Sequence, residues 1–162
     1  MIGTTVLHYQ ITAKLGQGGM GEVYLATDTT LPRQVALKFL PASLSDDHEA
    51  RTRLLLEAQH SSALNHENIV TIHAIEHVDG RDFIVMEYIE GQTLKDVLKS
   101  GSMSLERVVE IGIAVCEGLA AAHEKGIIHR DIKPDNIFIT PRGHVKITDS
   151  AWHGRQRARH RV

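Results

Sequence analysis

Within one proline-containing loop, His129-Arg130-Asp131-Ile132-Lys133-Pro134-Asp135-Asn136, the chain places a carboxylate, an amine and a carboxamide. Those residue types suit phosphoryl transfer. Asp131 can orient an attacking hydroxyl and accept its proton, Lys133 can neutralise charge on the moving group, and Asn136 offers an amide oxygen to Mg²⁺. Val145-Lys146-Ile147-Thr148-Asp149 then ends a strand-like run on a second carboxylate, fit for a hard cation that bridges phosphates. Near the start, Gly16-Gln17-Gly18-Gly19-Met20-Gly21-Glu22-Val23 fits G-x-G-x-x-G-x-V, a run whose missing side chains let backbone N–H groups approach phosphate oxygens. In Val35-Ala36-Leu37-Lys38 a lysine stands among apolar residues on a strand, where a cation is costly unless it meets a carboxylate or phosphates.

These loops need elements to hold them. Val6–Leu15, Val23–Thr27 and Gln34–Phe39 are rich in β-branched and apolar residues and predict three strands of an antiparallel meander, turning at Gly16–Gly21 and at Asp28–Arg33 with Pro32. Asp46, with Glu49 three residues on, opens a predicted helix to Leu64 that carries Leu54, Leu55, Ala58 and Ser62 at helical spacing. Ile69–His77 and Phe83–Tyr88, divided by Asp79-Gly80, predict a hairpin. Thr93–Lys99 predicts a short helix. Ser104 caps a longer one to about Lys125, with Leu105, Val108, Val109, Gly112, Ile113, Cys116, Leu119 and Ala120 expected on its inner face. Ile127-Ile128, Ile137–Ile139 and Val145–Ile147 read as short strands. A sheet-rich part followed by a mainly helical part is an α+β pattern.

That reading constrains the glycine run. A dinucleotide-binding βα turn needs a helix after the glycines, but Val23-Tyr24-Leu25-Ala26-Thr27 favours a strand. A Walker A loop needs Lys-Ser/Thr after the last glycine, where Glu22-Val23 stands. A plain glycine-rich hairpin stays open on these residues alone. Glu57, in the helix after Lys38, is a candidate carboxylate for that lysine, although a helix glutamate is more often solvated.

Composition narrows the class. The chain has 162 residues, 42% hydrophobic and 23% charged, which is ordinary globular usage and argues against disordered, collagen-like or coiled-coil readings. A single cysteine, Cys116, excludes a disulfide framework within the chain and any multi-cysteine zinc site, and it points to a reducing, cytoplasmic setting. The longest interior apolar run, Ile111–Cys116, is far too short to span a bilayer, and Met1–Ala13 lacks a basic n-region, so neither a membrane segment nor a signal peptide is expected. Residues 1–149 carry 14 basic and 20 acidic side chains, whereas 150–162 carry Arg155, Arg157, Arg159 and Arg161 and no acid. Eleven histidines do not make a metal site: four residues along a strand separate His73 and His77 by about 13 Å on one face. His129 reads as a packed structural histidine, because Asp131 already fills the role of base, and Cys116 reads as a core residue.

From about Tyr9 to Asp149 the chain resembles the first part of a protein kinase domain, and Gly-Gln-Gly-Gly-Met-Gly-Glu-Val-Tyr-Leu-Ala resembles bacterial serine/threonine kinases of the eukaryotic type. The resemblance implies a protein-kinase-like α+β fold. It would comprise a five-stranded antiparallel N-lobe with one helix over residues 1–88, an incomplete, mainly helical C-lobe over 89–149, and a non-family Arg-rich tail over 150–162. It implies ATP and Mg²⁺ as ligands and protein serine or threonine as substrate, with no specific nucleic acid. By the same resemblance Gly16, Gly18 and Gly21 cover the ATP phosphates, and Lys38 holds the α- and β-phosphates and pairs with Glu57. Val23 and Ala36 sandwich the adenine with Phe138 beneath it, Leu15 also binds ATP, Met86 is the gatekeeper, and Glu87 and Ile89 offer backbone bonds to the base, with Glu90 or Gln92 near the ribose. Asp131 and Lys133 are catalytic, and Asn136 and Asp149 hold the metal. Asp131-Ile132-Lys133-Pro134 resembles the serine/threonine branch, and Arg130 before Asp131 resembles kinases controlled through activation-loop phosphorylation.

The pattern breaks after Asp149. The family has Phe-Gly there, this chain has Ser150-Ala151, and nothing later resembles an activation loop or Ala-Pro-Glu. Asp-Ser-Ala-Trp-His-Gly can be written GAC TCG GCC TGG CAC GGC, and one T inserted after the first T of the serine codon gives GAC TTC GGC CTG GCA CGG, which reads Asp-Phe-Gly-Leu-Ala-Arg. A single-base deletion is therefore the expected origin of the tail. The expected function is that of a serine/threonine protein kinase in the intact parent. The alternative is a nucleotide-binding module without turnover, the outcome expected for the chain as written. A basic-tailed interaction protein, its four arginines binding phosphates without specificity, has little support.

Overall fold

The computed structural model describes residues 1–18, 21–41 and 48–148, in two compact units. The first unit comprises Met1–Ala63 and Thr71–Tyr88. Its sheet has strands β1 (Thr5–Val6), β2 (Tyr9–Gly18), β3 (Gly21–Asp28), β4 (Arg33–Phe39), β5 (Ile72–Val78) and β6 (Arg81–Glu87), all antiparallel, in the order β1-β2-β3-β4-β6-β5. The sheet has six strands where five were expected. Leu7, at φ +53°, turns the chain so that Thr5 and Val6 pair back onto Gln10 and Tyr9. A turn this short leaves no periodic signal.

Strand alternation divides the sheet into two faces. Tyr9, Ile11, Tyr24, Ala26, Val35, Leu37, Phe39, Phe83 and Val85 form one apolar cluster. Within it Phe39 stacks on Phe83 at 4.9 Å, and Tyr24 and Tyr9 meet these rings edge-on at 5.8 and 6.3 Å. Such ring pairs add about 0.5–1.5 kcal/mol each beyond burial. Ala36 and Lys38, the alternate residues of β4, therefore project from the opposite face. The buried Asp28 carboxylate closes the β3–β4 turn. It accepts from Thr30 N and Oγ1, Leu31 N and Arg33 Nε, and these bonds, that of Thr30 foremost, hold its carboxyl well below the usual range. Helix α1 (His48–Ser62) packs against β5. The expected cap Asp46 lies outside the described residues.

The second unit contains Leu64–Val70 and the described residues from Ile89 onward. Its elements are β7 (Gln92–Thr93), α2 (Leu94–Ser100), α3 (Leu105–Glu124), a 3₁₀ turn at Pro134–Asn136, β8 (Ile137–Ile139) and β9 (Val145–Ile147), with the sheet ordered β7-β8-β9. Both helices start on a cap. Thr93 Oγ1 accepts from Asp96 N at 3.1 Å and Ser104 Oγ from Arg107 N at 3.2 Å. Leu64–Val70 ties into β9, since Ile147 N donates to Asn68 O at 2.7 Å and Val70 N to Ile147 O at 2.9 Å.

Helix α3 buries a different face from the one expected. Ile111, Gly118 and Ala122 are buried, whereas Leu105, Val108, Val109 and Ile113 are about half exposed or more, and Cys116 is exposed. The sequence of α3 is apolar on both sides, so periodicity could not choose between them. Close approach decided it: a Cβ on Gly118 would lie 2.9 Å from Ile147 Cδ1 and 3.2 Å from Asn68 O. Ile127-Ile128 forms no strand, and Ile128 is 60% exposed. No helix among the described residues is long and apolar enough to cross a membrane.

Candidate functional site

In the first unit, the sheet face opposite the aromatic cluster gathers many of the expected nucleotide-binding residues. Cross-strand register sets Gly16 beside Val23, Val23 beside Lys38, Ala36 beside Met86 and Lys38 beside Ile84, so these residues share one face. Val23, Ala36, Lys38 and Met86 are all buried, and Lys38 is 1% exposed. An irregularity invisible in the sequence falls at Leu15. Register shifts between Lys14 and Gly16, which makes Leu15 the extra residue of a β-bulge, a device that re-aims side chains. The same irregularity at His73 breaks the alternation that would have put His73 and His77 on one face. Glu87 N donates to Thr71 O at 2.8 Å, and Thr71 N donates to Glu87 Oε2 at 3.2 Å, which ties the end of β6 to the residue before β5. Glu57 lies on α1; Gly19 and Met20 fall outside the described residues.

The glycine-rich turn is held from both sides. Gly18 pairs with Gly21, and Gly21 takes φ +114° with its Cα so near β4 that a Cβ would lie 1.9 Å from Phe39 O. Lys14 Nζ donates to Glu22 Oε1 at 2.6 Å and to Gln17 Oε1 at 2.7 Å, bracing the two strands across the hairpin. The Lys14 ammonium holds the Glu22 carboxyl below its usual range.

In the second unit the loop 129–136 is organised by its own side chains. Asp131 Oδ2 accepts from Lys133 Nζ at 2.8 Å and from Asn136 Nδ2 at 3.1 Å. Asn136 Nδ2 also donates to Asp131 O at 2.7 Å, which fixes the amide's orientation. Asn136 is fully buried, and its Oδ1 has no hydrogen-bond partner among the described residues. A buried oxygen left without a donor fits a cation, and the paired carboxamide nitrogen prevents a flip that would present N–H instead. The observed donor set thus fits Mg²⁺ at Asn136, while the other expected metal residue, Asp149, lies outside the described residues. Thr148, which the sequence reading had not singled out, supports this amide: its N and Oγ1 both donate to Asn136 O, at 2.8 and 3.2 Å. A buried threonine between Ile147 and an expected metal ligand was the available signal.

His129 is structural, as its position suggested. A carbonyl can only accept, so His129 Nε2 donates to Thr148 O at 2.7 Å, and Nδ1 then accepts from Asp131 N at 3.3 Å. Both ring nitrogens are engaged. Arg130, exposed, takes φ +63°, a left-handed conformation that branched side chains resist, and it turns the chain between the half-buried His129 and Asp131. Lys95 Nζ reaches Asp135 Oδ1 at 2.7 Å and ties α2 to the same loop. Phe138 is fully buried in β8 and Ile89 is 2% exposed.

The protein kinase domain family matches residues 9–154. This chain belongs to the protein kinase family. Its curated relatives include a probable serine/threonine-protein kinase of Streptomyces coelicolor, 44% identical over 146 residues, and the serine/threonine-protein kinase PrkC of Bacillus subtilis, 43% identical over 142. Each alignment covers 87% of this chain and 22% of the relative, so the kinase chain here spans about a fifth of their length. Among solved structures, the kinase domain of Mycobacterium tuberculosis PknI superposes with TM-score 0.82 at 30% identity, covering 93% of this chain and 61% of that one. The protein-kinase-like fold and the serine/threonine kinase family follow, and the family uses ATP and Mg²⁺.

Proposed function

We propose that this chain supplies the ATP-binding sheet and the catalytic loop of a serine/threonine protein kinase, whose intact parent moves the γ-phosphoryl group of ATP to a serine or threonine hydroxyl of a protein. Residues 1–88 serve as its N-lobe and 89–149 as part of its C-lobe, with 150–162 a tail outside the family pattern. The observation that carries this reading is the Asp131–Lys133–Asn136 arrangement, in which one side-chain network fixes a base, a cation and a buried amide oxygen.

The chemistry follows from those positions. Asp131 orients the substrate hydroxyl and takes its proton as the new oxygen–phosphorus bond forms and the β–γ bridging bond breaks. Lys133, already beside Asp131, offsets charge on the moving group. Lys38, paired with Glu57, holds the α- and β-phosphates from the buried sheet face, and Gly16, Gly18 and Gly21 bring backbone N–H groups to them. Leu15, Val23, Ala36, Met86 and Phe138 enclose the base, and the backbones of Glu87 and Ile89 bond it. Asn136 and Asp149 would hold Mg²⁺, which would offset the negative charge of the phosphates. A reducing, cytoplasmic setting agrees with the exposed free thiol of Cys116.

The test is Mg²⁺-dependent binding of a fluorescent ATP analogue, followed by transfer of labelled phosphate to a generic serine/threonine substrate. Binding that Lys38→Met weakens at least tenfold is expected; metal-independent or undetectable binding would sink the reading. A second reading, binding without turnover, is favoured by Ser150-Ala151 standing where the family has Phe-Gly. Tight binding with no transfer selects it.

A further inference from the structure

Among the described side chains of helix α1, Ala58 alone is buried, and Leu56 is 48% exposed. One directional attachment of the helix is ionic. Arg51 Nη2 donates to Asp82 Oδ1 at 2.9 Å while Arg51 Nε donates to Asp82 Oδ2, a two-pronged pairing of guanidinium and carboxylate. Asp82 is 8% exposed and stands in β6. His77, its register partner on β5, meets the same carboxylate, with Nδ1 to Oδ1 at 2.6 Å. The Asp82 backbone carbonyl accepts from Leu40 N at 3.0 Å, two residues beyond Lys38. One residue therefore joins α1, the β5–β6 hairpin and the end of β4.

We propose that the Arg51–Asp82 pair is a positioning clamp that holds α1, the helix carrying Glu57, in place on the sheet carrying Lys38, and so sets how well the chain binds Mg-ATP. The nucleotide part of this inference rests on the proposed pairing of Lys38 with Glu57. Neither Arg51 nor Asp82 belongs to the motifs that match the kinase pattern. Removing Arg51 leaves a buried carboxylate with His77 as its remaining basic partner among the described residues, so the pair resists opening although the guanidinium is 34% exposed. The arginine also keeps the Asp82 carboxyl below its usual range.

The experiment is hydrogen exchange by mass spectrometry on the full chain, with Arg51→Met, Asp82→Asn, their combination and Arg51→Lys, alongside affinity for a fluorescent ATP analogue with Mg²⁺. In Arg51→Met, exchange within residues 48–62 is expected to rise at least about tenfold while β2–β4 stay within about twofold. Asp82→Asn should match it, the combination should be no worse than either, and Arg51→Lys should recover part of the protection. Nucleotide affinity should fall about fivefold in the variants that free the helix. Exchange that accelerates equally in sheet and helix, or an unchanged α1, overturns the clamp. Should Arg51→Met unfold the chain, Arg51→Lys decides by the same two patterns. A wild-type chain without Mg-ATP binding removes the nucleotide reading, and the exchange data still decide the clamp.

Discussion

Replacing Gly21 by alanine tests why the last glycine of the glycine-rich turn is a glycine. The motif alone attributes it to phosphate approach. In the structure the need is also internal: a Cβ would lie 1.9 Å from Phe39 O, 3.1 Å from Phe39 C and 3.4 Å from Pro41 Cδ, at φ +114°. Gly80 is the matched control, with φ +76° and nothing within 4 Å of a Cβ. Gly80→Ala therefore meets only the left-handed penalty, about 1–2 kcal/mol. Gly21→Ala meets a comparable backbone penalty and an overpacking cost of about 1–3 kcal/mol against backbone atoms that cannot rotate away. The sum, about 2–5 kcal/mol, is a large share of the about 5–15 kcal/mol typical of a folded chain. In urea, at a slope of about 2 kcal/mol per molar, the midpoint should fall by about 1–2.5 M for Gly21→Ala and by under about 1 M for Gly80→Ala. Far-UV circular dichroism reads both. A Gly21→Ala midpoint no lower than that of Gly80→Ala would refute the claim that the Phe39 carbonyl dictates this position.

Other outcomes follow from the same geometry. Asn136→Ala removes two donations from a fully buried side chain to Asp131; it should cost about 1–3 kcal/mol in thermal or urea stability and abolish the Mg²⁺ dependence of nucleotide binding, and retained dependence would argue against Asn136 as a ligand. Lys38→Met should weaken nucleotide binding at least tenfold, read by titration of a fluorescent ATP analogue; equal affinity in both chains contradicts its role. Asp28 and Asp82 have carboxyls depressed by their partners, so their stabilisation is fully present above the ordinary aspartate range near 4 and is lost as pH falls through the lower folded-state values. Asp28→Asn should flatten that acid limb of a stability–pH curve, and a curve of unchanged shape would count against it. Resequencing the DNA across codons 147–155 should restore Phe-Gly-Leu-Ala-Arg after Asp149; a confirmed Ser150-Ala151 reading removes the deletion hypothesis.

Much of the molecule was written locally. The order of glycines, Lys38, the His129–Asn136 loop and the strand before Asp149 each follow from residue type and spacing over short stretches, and chemistry at that range needs no knowledge of distant contacts. The cap at Ser104, the hairpin at Asp79-Gly80 and the antiparallel meander were legible for the same reason, because side chain and backbone there satisfy one another within a few residues. Only tertiary structure decided the rest. The burial of Ile111, Gly118 and Ala122 rather than Val109 and Ile113 depended on what β9 and Asn68 offered to a helix apolar on both sides. The sixth strand and the bulge at Leu15 arose from single backbone irregularities that carry no period. The lone Oδ1 of Asn136 emerged because Asp131 and Thr148, remote in hydrogen-bond terms until the loop closes, occupy every other polar atom of that residue's side chain and carbonyl. Sequence set which groups were available; packing and hydrogen-bond satisfaction, which sum over the whole fold, set where each one faces.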